Sequence, residues 1–101
     1  MYYTFRIEYP SCRFLENVCN DEKQATLRFY DDIRSYLHYM DALTEPYSVS
    51  MNKEDDKIVY TIDSCKYTIK CILGGCKNIN SLYEGLSAVV CDCHKILVDA
   101  F

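Results

Sequence analysis

The sequence predicts an α+β fold: a two-layer sandwich whose four-stranded, mainly antiparallel sheet carries two helices on one face, in the order β-α-β-β-β-α. Three observations predict it. The chain opens on strict alternation, a helical apolar period runs from residue 21 to residue 43, and three short alternating segments lie between residues 47 and 73. Strands that are half polar need only one covered face, and two amphipathic helices supply that cover.

The opening "YYTFRIEYP" sets Tyr3, Phe5, Ile7 and Tyr9 on one side and Tyr2, Thr4, Arg6 and Glu8 on the other, and it ends at Pro10. This is the pattern of a half-buried strand. "SCRFLENVCN" has weak periodicity and reads as a loop or short helical turn, tucked in by Phe14, Leu15 and Val18. From Asp21 to Leu43, the residues Ala25, Phe29, Ile33, Tyr36, Leu37, Met40 and Leu43 fall in one helical band, with Asn20 or Asp21 available as cap and Pro46 blocking continuation.

"YSVSM", "IVYTI" and "KYTIKCIL" then alternate as an antiparallel meander joined by the charged tip "NKEDDK" and the polar turn "DSCK". Tyr47, Val49, Met51, Ile58, Tyr60, Ile62, Tyr67, Ile69, Cys71 and Leu73 would form its covered face. Gly74 and Gly75 end the sheet, and "SLYE" opens the second helix with Ser81 and Glu84 as a capping box. Leu82, Leu86, Val89, Cys93, Ile96, Leu97 and Ala100 form the apolar stripe of that helix.

A chain of 101 residues with 50% hydrophobic content is expected to be one domain over residues 1–101. Eleven basic against fifteen acidic side chains give a net charge of −4, which opposes nucleic acid and anionic lipid and favours a basic protein partner. The opening residues form no cationic leader and no apolar run approaches a membrane span, so the expected location is the cytoplasm. Seven cysteines, an odd number without an export signal, read as reduced thiols, several of them buried as small hydrophobes.

"VVCDCHKIL" is the most chemical-looking string, but on a helix Cys91 and Cys93 point about 200° apart and cannot hold one ion together. Cys91 with His94 is the adjacent pair, and further ligands would have to come from Cys76 and from Cys12, Cys19 or Cys65, none at zinc-knuckle spacing. The same pair lacks a helix N-terminus or oxyanion hole to make a nucleophile. A further possibility is an RNA-binding sheet face bearing Tyr2, Arg6, Lys66 and Lys70, but one aromatic among Ser and Thr in an acidic chain reads as a solvated surface.

These exclusions lead to a non-enzymatic protein-interaction module without cofactor or metal, monomeric or homodimeric, binding neither nucleic acid nor membrane. Its sharper form is a small acidic inhibitor that blocks the cationic groove of a nucleic-acid-binding protein. Tyrosines flanked by carboxylates suit such a surface, and the partner-binding candidates are Tyr30, Asp31, Asp32, Tyr39, Asp41, Glu54, Asp55 and Asp56. In size and charge the chain resembles the small proteins with which phages and mobile elements disarm host nucleases, anti-CRISPR proteins among them; the resemblance is one of profile and transfers no residue. Two other readings stand beside it: a cysteine-dependent metal-binding or redox protein using Cys76, Cys91 and His94, and a self-associating structural component.

Overall fold

The computed structural model describes residues 2–8 and 13–87. They form a five-stranded antiparallel sheet in the order β2-β1-β5-β4-β3, with β1 at Tyr2–Glu8, β2 at Arg13–Cys19, β3 at Tyr47–Glu54, β4 at Lys57–Ser64 and β5 at Thr68–Gly74. Helix α1 spans Glu22–Ala42, and α2 is helical over residues 79–87. The α+β class stands, but the expected four strands are five and the order begins β-β-α.

The added strand is β2, in the stretch that reads as a loop. It pairs with β1 from Tyr2↔Cys19 to Glu8↔Arg13. An edge strand with one neighbour owes its conformation to that pairing rather than to a clean pattern of its own, and here the apolar Val18 points outward, 55% exposed.

A second correction concerns the phase of β1. Tyr2 and Thr4 are buried beneath α1 and Arg6 reaches Asp32 of that helix, so these three do not lie on an open face with Lys66 and Lys70. Tyr3 and Phe5 take the open face instead, stacked with centroids 5.2 Å apart and rings 16° from parallel. Phe5, Ile72 and Val59 are register partners across β1, β5 and β4, making an apolar row on that side.

Helix α1 follows its periodicity. Asp21 caps it through the Lys23 amide, and Ala25, Phe29, Ile33, Leu37 and Met40 are buried against Ile58, Tyr60, Ile62, Ile69, Cys71 and Leu73. Full burial of such side chains contributes about 1.5–3 kcal/mol each, which makes this contact the main hold on the helix. Past Leu43, Thr44 turns the chain out with φ 56°, and Pro46 leads into β3.

The later turns are tighter than the sequence suggests. The β3–β4 ladder runs to Glu54↔Lys57, leaving Asp55 and Asp56 alone in the turn, with Asp55 at φ 54°. Between β4 and β5 it is Ser64, not Asp63, that closes the turn, accepting from the Tyr67 amide at 3.0 Å; Asp63 accepts from Thr68. Helix α2 starts before the expected Ser81 box: the Leu82 amide already bonds the Asn78 carbonyl at 3.0 Å, which places the cap at Asn78.

Tyr9, Pro10 and Cys12, and from Val89 onward Cys91, Cys93, His94, Ile96, Leu97 and Ala100, lie outside the described residues. Among the described residues no helix is long and apolar enough to cross a membrane.

Candidate interaction surface

The eight partner-binding candidates fall in three places rather than one. The middle of α1 carries Tyr30, Asp31 and Asp32; its C-terminal end carries Tyr39 and Asp41; Glu54, Asp55 and Asp56 form the β3–β4 tip. Residues 31 and 41 lie about 15 Å apart along the helix axis, and β3 carries the chain roughly 23 Å from Tyr47 to the tip. The structure therefore divides the predicted surface.

Several candidates are engaged inside the molecule. Asp32 binds Arg6 at 3.1 Å in the seam between α1 and β1, with the guanidinium 5.7 Å from the Tyr36 ring centroid. Burial raises the Asp32 carboxyl above its ordinary range, and Arg6 partly offsets that shift. Asp41 accepts the Tyr47 hydroxyl at 2.7 Å, and burial together with this bond pushes the Tyr47 phenol up to about 12. Tyr39 sets its ring edge-on to Tyr67, centroids 6.4 Å apart. Tyr30 is half-buried where α1 approaches α2.

Asp31, Glu54, Asp55 and Asp56 are the acidic candidates that face solvent, and Tyr39 is exposed with them at 41%. The tip is held firmly: ladder pairing continues to its base, and the Cys76 amide bonds the Asp56 carbonyl at 3.0 Å. Of the two lysines at its base, Lys57 pairs with Glu54 in the ladder, while Lys53 donates to Asn80 of α2 at 2.8 Å and lies 5.2 Å from the Tyr83 ring centroid. Tyr83 in turn donates to the Met51 carbonyl at 2.7 Å, tying α2 to β3. Two residues outside the eight partner-binding candidates join this end of the molecule. Glu22 accepts the Tyr2 hydroxyl at 3.0 Å, and the Cys76 thiol is pushed up to about 11 by burial and then by Asp56 and Glu22.

The described thiols are placed away from this surface chemistry or in the core. Cys19, Cys71 and Cys76 are buried, Cys76 donating to the Leu73 carbonyl, while Cys65 is exposed in the β4–β5 turn. Among the described residues no three of His, Cys, Asp and Glu gather where one ion could be held. The Cys91–His94 pair lies outside those residues.

Comparison with known proteins adds no family: no protein-family model, curated protein or solved structure matches the chain.

Proposed function

We propose that the protein is a non-enzymatic interaction module that presents the β3–β4 tip to a basic partner, and that in its sharper form it inhibits a nucleic-acid-binding protein by occupying its cationic groove. The observation that supports this is the tip itself. Glu54, Asp55 and Asp56 project from a two-residue turn whose strands pair to their last residues and whose backbone is anchored to Cys76, while Lys53 is held by α2. A charged group fixed before binding loses little entropy on docking and keeps its field directed outward. The net charge of −4 acts in the same sense at longer range.

The test is affinity capture by the full chain from a lysate of its native host. The reading predicts retention of a nucleic-acid-binding protein that added duplex DNA displaces, and loss of that retention with Glu54→Gln, Asp55→Asn and Asp56→Asn combined. Asn tolerates the positive φ at residue 55, so the triple variant keeps the turn. Undiminished capture by the triple variant would overturn the reading.

A further inference from the structure

An apolar groove of about 440 Å³ runs between α1 and α2, lined by Thr26, Leu27, Tyr30, Leu82, Gly85 and Leu86. Leu27 stands at its lip 54% exposed, although Ala25, Phe29, Ile33, Leu37 and Met40 of the inward stripe of α1 are buried. Gly85 leaves the opposite wall low: a Cβ there would meet nothing within 4 Å. The groove does not close on itself, because α2 is tied on its other side to β3 through Tyr83 and Lys53.

The charges beside Leu27 indicate what covers this groove. Lys23 lies one turn before Leu27 and Asp31 one turn after it, on the same outward stripe. Both are exposed, and neither has an ion-pair partner among the described residues. Such a stripe is complementary to itself when reversed. Lys23 and Asp31 are equidistant from Leu27, so a second α1 laid antiparallel across a two-fold axis at Leu27 brings opposite charges together twice.

We propose that the protein forms a homodimer through this stripe, with Leu27 of each subunit entering the groove of the other and Lys23 of each meeting Asp31 of the partner subunit. Antiparallel helices approach to about 8–10 Å, a spacing at which leucine fills a groove and the two ion pairs flank it. Buried leucine supplies attraction, and the charge order fixes register and direction. The β3–β4 tips lie on separate elements and stay free, so a dimer presents two of them.

Sedimentation equilibrium of the full chain tests this. The expected mass is twice 11.8 kDa, falling toward the monomer on dilution. Gly85→Leu, which fills the groove from a position with open space around it, is expected to give monomer with an unchanged circular dichroism spectrum. Lys23→Asp and Asp31→Lys should each weaken the dimer about tenfold or more, and the two combined should restore it to within about threefold. A wild-type chain that stays monomeric up to about 100 μM overturns the proposal. So does a dimer that survives Gly85→Leu, or a double reversal no tighter than either single one.

Discussion

Arg6 on β1 and Asp32 on α1 meet at 3.1 Å beneath the helix, with side chains 24% and 16% exposed. The pair fastens the helix to a strand that also buries Tyr2 and Thr4. Breaking one side leaves the other charge in a poorly solvated seam, so Arg6→Met should destabilise the fold by roughly 2–4 kcal/mol, read from the urea midpoint.

The pH dependence has a definite sign. Burial raises the Asp32 carboxyl in the folded chain, so the folded state holds that proton more tightly than the unfolded state does. The contribution of this group is therefore fully favourable below the unfolded value near 3.8 and is lost as pH rises through the folded value. Arg6 offsets the shift, so the carboxyl titration followed by NMR should move further up in Arg6→Met. A downward move would show that Arg6 does not offset the shift.

Thr4 is 1% exposed, and its hydroxyl finds no hydrogen-bond partner among the described residues. Replacing a buried unsatisfied hydroxyl with a methyl of the same shape removes a desolvation cost. Thr4→Val should raise stability by about 1 kcal/mol, seen as a higher melting temperature, whereas a lower one would reveal a bonded hydroxyl.

Gly74 lies opposite Tyr3 in the ladder, and the Tyr3 ring occupies the space a side chain would need: an added Cβ would overlap its Cζ. Gly74→Ala therefore has to push Tyr3 off its stack with Phe5, at a cost of about 1–3 kcal/mol. Adding Tyr3→Ala should make Gly74→Ala nearly neutral in a double-mutant cycle by denaturation, since the clash is with that ring.

Burial pushes the Cys71 thiol up to about 12 and the Cys76 thiol up to about 11, while Cys65 is exposed. Thiolate is the reactive form, so alkylation at pH 8 followed by peptide mapping should modify Cys65 in the native protein and reach Cys71 and Cys76 only on unfolding. Early labelling of Cys71 would place it nearer the surface than the helix-covered face allows.

The sequence made some elements legible and concealed others for physical reasons. Helix α1 and the strands from β3 to β5 announce themselves because the residues turned toward the helix–sheet core recur with a period of 3.6 or 2, even though Val59 and Ile72 are buried on the other face of the sheet. The inward residues of β1 include Thr4 and Arg6, whose polarity disguises the phase until Asp32 is seen across the seam. β2 is defined by its pairing with β1 and carries an outward Val18. Of the site, the exposed carboxylates of the tip could be read from "NKEDDK", but the diversion of Asp32 to Arg6, Asp41 to Tyr47 and Lys53 to Asn80 depends on tertiary neighbours. The helix groove had a sequence trace in Leu27, an apolar residue off the main stripe.

The most direct test of the acidic-tip mechanism is the association rate of the captured partner, measured by stopped flow as ionic strength is raised. Electrostatic docking through Glu54, Asp55 and Asp56 predicts a rate that falls steeply with salt for the wild-type chain and a nearly flat response for the triple variant. A wild-type rate indifferent to salt, or the same steep fall in the variant, would contradict the account.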